Sequence, residues 1–232
     1  MENFTFYLPT RILFGKGQIS SLAACIKPFG DKILLVYGKD SIKKNGIYQE
    51  VVAQLSAAGI SYVELSGVDP NPRIATVREG ARICRQNNVK LVLGVGGGSV
   101  IDCSKGIAVA AGYEGEAWDI WARKYAPRTA LPVGAVLTLA ATASEANRNA
   151  VICNPETLEK KGFGDEILLP KFAIMDPSYT FTVPKKHTAA AIADTLAHIF
   201  EYYFMDIPGA MLQDEFCEGV LRTVVQCAGI VM

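Results

Sequence analysis

With 232 residues, 50% of them hydrophobic, the chain can bury a sizeable core, which excludes a disordered or fibrous protein and allows one large domain or one domain plus part of a second. Lysine plus arginine balances aspartate plus glutamate at 23 each, so no global field draws it to nucleic acid or to an anionic membrane surface. The six cysteines form no CxxC pair and read as reduced packing residues, and no stretch approaches the roughly 18 apolar residues of a membrane helix, so the cytoplasm is the expected address.

In chain order, Ile33–Tyr37 is a continuous apolar run ending at Gly38, the pattern of a parallel strand buried on both faces. Ile47, Val51, Val52 and Leu55 then recur at helical spacing until Gly59 stops the helix. A strand near Ile60–Leu65, the turn Asp69-Pro70-Asn71-Pro72 and a helix near Ile74–Gln86 repeat the unit. Val89–Val95 and Val100–Ala111 repeat it again. This alternation predicts an α/β fold, a Rossmann-like doubly wound parallel sheet.

Leu131–Leu139 is a further strand candidate, and Asn149–Cys153 and Phe172–Met175 are later ones around a Pro155–Pro170 loop. Past Val183-Pro184 the pattern turns helical, with a long alanine-rich helix over Lys185–Phe204 and a second beginning near Ala210. The expected organisation is therefore a dinucleotide-binding α/β domain over 1–183, followed over 184–232 by the start of an all-helical domain. Apolar positions Phe216, Val220, Leu221, Val224 and Val225 run on to Ile230-Val231-Met232, which predicts a truncated helical domain or one completed by a partner, and hence a homo-oligomer.

Two constellations carry chemistry. Gly96-Gly97-Gly98-Ser99 stands where a strand yields to a helix, so backbone N–H groups can approach a phosphate and the helix N-terminus adds partial positive charge; it reads as a pyrophosphate cradle. The alternative is the steric need of a tight strand-to-helix turn for glycine. Asp102, in the first turn of that helix, complements its dipole. Asp194 and His198 lie four residues apart on the alanine-rich helix and can meet on one face. They suit Fe²⁺ or Zn²⁺ as two ligands, or form an ordinary helix ion pair. His187, seven residues before Asp194, lies too far along the axis to share such a metal.

The chain resembles the iron-containing (group III) alcohol dehydrogenases, in particular their NAD(P)H-dependent butanol dehydrogenase branch. The resemblance rests on Pro9–Gly17, Asp69-Pro70-Asn71-Pro72, Gly96–Asp102, Leu137–Asn147, Asp176-Pro177-Ser178-Tyr179, and Asp194 with His198. It implies hydride transfer between NAD(H) or NADP(H) and a small alcohol or aldehyde, with a divalent metal, Fe²⁺ or Zn²⁺, in a cleft between a cofactor domain and a helical domain.

By the same resemblance Gly96, Gly97, Gly98 and Ser99 hold the pyrophosphate in a cofactor motif that ends at Asp102. Asn71 and the Gly38, Lys39, Asp40, Ser41 turn border the adenosine ribose; Thr138, Thr142 and Asn147 line the cofactor cleft; Lys160 and Tyr179 match cofactor-side positions. Asp194 and His198 match two metal ligands. At the end of the Ile33–Tyr37 strand, Asp40 favours NAD by repelling a 2′-phosphate, whereas adjacent Lys39 tolerates NADP, a slight lean to NADH.

The sequence departs from the family's pattern in three ways. Two further histidine ligands expected later in the helical domain are not in this chain, which implies weak or no turnover by these 232 residues alone. Ala143 stands where the family usually has glycine, and Arg148 is an unusual bulky charge beside Asn147. Two other functions compete: a non-catalytic dinucleotide-binding module without a metal site, and a lyase of the dehydroquinate synthase type, which the motif series disfavours.

Overall fold

The computed structural model describes Asn3 and residues 5–205 and 207–232, and the chain divides into two compact units, Met1–Thr180 and Phe181–Met232. In the first, six parallel strands form one sheet in the order β1-β8-β5-β4-β2-β3. They are β1 (Arg11–Phe14), β2 (Lys32–Tyr37), β3 (Ser61–Leu65), β4 (Leu91–Gly96), β5 (Val133–Leu137) and β8 (Phe172–Met175). The intervening helices include α1 (Leu22–Ile26), α2 (Ser41–Lys44), α3 (Ile47–Ala57), α4 (Ile74–Asn87), α5 (Gly98–Ala111) and α6 (Trp118–Trp121).

The continuous apolar runs are explained by cover on both faces. Leu34, Val36 and Val92 join the core formed with α4, α5 and α6. Ile33, Leu35, Tyr37, Leu91, Leu93 and Val95 point the other way, into the core formed with α1 and α3. Edge strands need less: β1 buries only Leu13 of its four residues. It is held by pairing with β8, by Thr10 Oγ1–H donating to the Pro170 carbonyl at 2.8 Å, and by the Gly17 N–H donating to the Asp176 carboxylate at 2.6 Å.

Sheet topology places the site. Leaving aside β1, the order is that of the 2-1-3-4-5 doubly wound fold, with β2 and β4 side by side where the winding reverses. Tyr37 is in register with Val95 and Gly96 with Leu137, so the chain leaves β2, β4 and β5 at one common edge, through the turns beginning Gly38, Gly97 and Thr138. In open α/β sheets that crevice is where ligands bind.

Two expectations need correction. The apolar runs Ile33–Tyr37, Ile60–Leu65 and Val89–Val95 put the glycine run after a third strand, whereas it follows the fourth, because β1 precedes the first of them. The Pro155–Pro170 stretch is not simply a loop: β7 (Glu159–Gly164) pairs antiparallel with β6 (Asn149–Asn154) in a separate two-stranded sheet. That hairpin is fixed by fully packed Trp121, whose indole N–H donates to the Ala150 carbonyl at 3.1 Å and whose ring meets Phe163 edge-on.

The second unit is a pair of helices, α7 (Lys185–Tyr203) and α8 (Met211–Val231), which pack on each other and are tied by the Tyr203 hydroxyl donating to Glu218 at 3.1 Å. Neither has a buried residue among those described, and Phe204, Met211 and Phe216 are exposed. No described helix is long and apolar enough to cross a membrane.

Candidate functional site

A pocket of about 350 Å³ opens at the start of α5, lined by Asn71, Gly98, Ser99, Asp102, Thr142, Asn147 and Lys160 of the expected site residues. Pro72, Ser144, Asn149 and Val151 complete it. Its size lies in the range of small-molecule sites. Within the helix the first N–H groups of α5, on Gly98 and Ser99, have no i−4 carbonyl to pair with, and the helix dipole adds positive potential there.

Neither Gly96, Gly97 nor Gly98 takes a left-handed conformation, so the run is glycine for reasons of space. A Cβ on Gly96 would lie 2.6 Å from Val100 Cγ2. On Gly98 it would overlap Thr142 Oγ1 and lie 3.2 Å from Thr142 Cβ. Both explanations weighed for the run thus bear on one turn: the glycines let the 138–142 segment pack against α5, and the same closeness makes Thr142 part of the pocket wall.

The rim is braced by hydrogen bonds. Asn71, in the left-handed region at φ 56°, donates its N–H to Ser99 Oγ at 3.3 Å, and Lys160 Nζ donates to Asn71 Oδ1 at 2.7 Å. Asparagine tolerates that conformation better than most residues. Beneath the rim, the Asp102 carboxylate accepts from the Ser144 hydroxyl at 2.5 Å and from the Val151 N–H at 3.0 Å. Burial raises its pKa, opposed by those two bonds and by Lys105 and Lys160. Asp102 therefore does more than complement the α5 dipole: it fastens the 144–151 segment.

Lys105, one turn further along α5, was not singled out by sequence. It has 0% exposure, and its ammonium donates to Asn147 O at 2.8 Å, Asn147 Oδ1 at 3.0 Å and Asn149 O at 2.9 Å. Burial pushes its pKa down to about 8, with Asp102 and Glu145 acting in the opposite direction. The available signal was a cation among Cys103, Gly106, Ile107 and Ala108, in a helix whose other charged residue is Asp102.

Other expected residues lie elsewhere. Gly38, Lys39, Asp40 and Ser41 form the turn from β2 into α2, with Lys39 paired to Asp69 at 3.4 Å and Asp40 exposed. Thr138 follows β5, and its N–H donates to the Gly96 carbonyl at 3.1 Å. Tyr179 is buried and its hydroxyl donates to Glu50 at 2.5 Å. On α7, Asp194 Oδ2 and His198 Nδ1 are 3.8 Å apart and both side chains are exposed. Among the described residues no cluster of three or more His, Cys, Asp or Glu could hold a metal ion.

Ala143 does adopt a left-handed conformation, φ 50°, where glycine has no steric penalty and alanine pays about 1 kcal/mol. Ala143→Gly should relieve that strain and, after the greater chain entropy of glycine is subtracted, stabilise the protein by roughly 0.5 kcal/mol. Urea denaturation checks it: a lowered midpoint would show that the loop accommodates the methyl group without strain.

The fold and pocket agree with what the chain matches. The model of the family "Iron-containing alcohol dehydrogenase" matches residues 9–177. The chain is 51% identical over 228 residues to probable NADH-dependent butanol dehydrogenase 1 of Bacillus subtilis, covering 98% of this chain and 59% of that protein. To NADH-dependent butanol dehydrogenase A of Clostridium acetobutylicum it is 49% identical over 232 residues, covering 100% of this chain and 60% of the relative. The crystal structure of NADH-dependent butanol dehydrogenase A from Thermotoga maritima superposes with a TM-score of 0.94 at 45% identity, covering 100% of this chain and 58% of that one. The chain thus spans about three fifths of the length of these relatives. A family model matched from the first strand to the turn after the last, on a sheet whose winding reverses at the glycine turn, has one meaning: the chain belongs to the iron-containing alcohol dehydrogenase family.

Proposed function

We propose that this chain supplies the NAD(H)-binding side of a metal-dependent, butanol dehydrogenase-like alcohol dehydrogenase. The observation that carries the reading is the pocket at the start of α5, where unpaired helix N–H groups face Asn71, Thr142, Asn147 and Lys160. Donors of this kind suit a pyrophosphate, and Asp102, the one carboxylate among the described lining residues, has its oxygens engaged by Ser144 and Val151. When bound, the nicotinamide supplies hydride exchange at carbon and the divalent metal polarises the alcohol or aldehyde oxygen. The residues of this chain bind and orient: Gly98 and Ser99 take the pyrophosphate through backbone N–H groups, and Asn71, which the resemblance assigns to the ribose, lies with Lys160 at the rim beside them. Asp194 and His198 would give two of the metal's ligands, fewer than the four of a closed site.

Lys39 is engaged by Asp69 while Asp40 is exposed, which favours NADH over NADPH. Asp40→Gly should shift the ratio of the two affinities about tenfold toward NADPH, read by titrating each nucleotide. An unchanged ratio would remove Asp40 from the ribose site. NADH titration with parallel metal analysis tests the whole reading: saturable uptake supports it, and absence of uptake defeats it. A dinucleotide-binding module without metal chemistry is the second reading, favoured by the exposed, ion-pair-like geometry of Asp194 and His198. A stoichiometric, tightly held Fe²⁺ or Zn²⁺ would rule it out.

A further inference from the structure

We propose that Lys105 is the positioning residue of the pocket's outer wall, holding residues 142–149 against α5 through three hydrogen bonds from one buried ammonium. The proposal rests on the dinucleotide reading of the pocket. An ammonium has three donors, and here each finds an oxygen at 2.8–3.0 Å: Asn147 O, Asn147 Oδ1 and Asn149 O.

The consequence runs along one side chain. Because Asn147 Oδ1 accepts from Lys105 and from the Asn149 N–H at 3.0 Å, the amide is oriented with Nδ2 toward the Thr142 carbonyl, to which it donates at 3.1 Å. Thr142 in turn stands against Gly98, where the helix N–H groups begin. Lys105 therefore sets the place of Thr142 from two turns down the same helix, without lining the pocket itself.

An uncharged, unbranched side chain would fill this interior at less desolvation cost, so packing alone does not account for a lysine. What the ammonium adds is direction. Two backbone carbonyls and one side-chain amide, drawn to a single point, leave the 142–149 segment one arrangement, and Asp102 secures it from within at Ser144 and beyond its end at Val151.

The test compares Lys105→Met, Asn147→Ala and the double variant by NADH titration and by amide hydrogen exchange over 142–151, with circular dichroism to confirm the fold. Each single substitution should weaken NADH binding about tenfold, and the double variant should be no weaker than Lys105→Met alone, because the Asn147 amide that Asn147→Ala removes is already released when Lys105 is lost. Exchange over 142–151 should rise in Lys105→Met while β2 and β4 keep their protection. Unchanged exchange and affinity in Lys105→Met, or losses that multiply in the double variant, would overturn the proposal. Should the methionine variant not fold, Lys105→Gln, which keeps two N–H donors, is read in the same way. If the wild-type protein takes up no NADH, the dinucleotide reading fails by itself, and the exchange measurement still decides the role of Lys105.

Discussion

Replacing Gly98 by valine should cost the protein at least about a hundredfold in NADH affinity while leaving it folded. The added Cβ would overlap Thr142 Oγ1 and press on Thr142 Cγ2 at 3.0 Å, so one of the two must yield. Thr142 is exposed and can swing outward, which limits the stability cost to the lower end of the 1–3 kcal/mol usual for overpacking. The displaced threonine and the new methyl groups then stand where the helix N–H groups would meet a pyrophosphate. Affinity by titration and stability by thermal melting separate the two effects. A variant that melts early and binds normally would show that Gly98 serves packing alone.

The second large effect is a pH dependence with an unusual sign. Lys105 goes from the ordinary 10.5 to about 8 in the folded protein, chiefly through burial, with the facing carboxylates Asp102 and Glu145 resisting the change. Between those two values the unfolded chain binds more protons than the native one, so raising the pH stabilises the fold. The contribution is fully present above 10.5 and is lost as the pH falls through about 8. Its size approaches about 3 kcal/mol, 1.36 kcal/mol for each pH unit, and the three oxygens that favour the charged form make this an upper figure. The measurement is the difference between wild type and Lys105→Met in denaturant midpoints from pH 8 to 10.5, which cancels whatever the two proteins share. A difference that stays flat or declines would mean that burial does not depress this lysine.

The parts of the fold legible in sequence were those whose signal is apolar burial on both faces. β2, β4 and α3 stand out because Ile33–Tyr37, Val89–Val95 and Ile47–Leu55 are shaped by the core they enter and stopped by glycine. β1 gives no such signal, since Leu13 is its one buried residue and its pairing with β8 is a long-range event. β7 was hidden by its own composition: Glu159, Lys160 and Lys161 read as loop, and only the contact of Phe163 with Trp121 and pairing with β6 make them a strand. At the site, the glycine turn announced itself, and Asn71, Thr142, Asn147 and Lys160 came through family resemblance before the pocket drew them together. Lys105 did not, because its partners are two carbonyls and an amide over forty residues away, a kind of contact that leaves no periodicity behind.

That distant pairing of β1 and β8 also sets a timetable. Arg11 is in register with Phe172, and the bonds from Thr10 and Gly17 reach across 160 and 159 residues. At roughly 5–20 residues per second of synthesis, β1 waits on the order of ten to thirty seconds for the strand it pairs with. Over that interval β2, β3, β4 and β5 emerge and can assemble without it, and the glycine turn at the pocket can form on this partial sheet. β1, made before the other strands of this sheet, is therefore among the last of them to be secured, and its Leu13, buried once the strand is in place, is in the meantime open to capture by a chaperone or by another nascent chain.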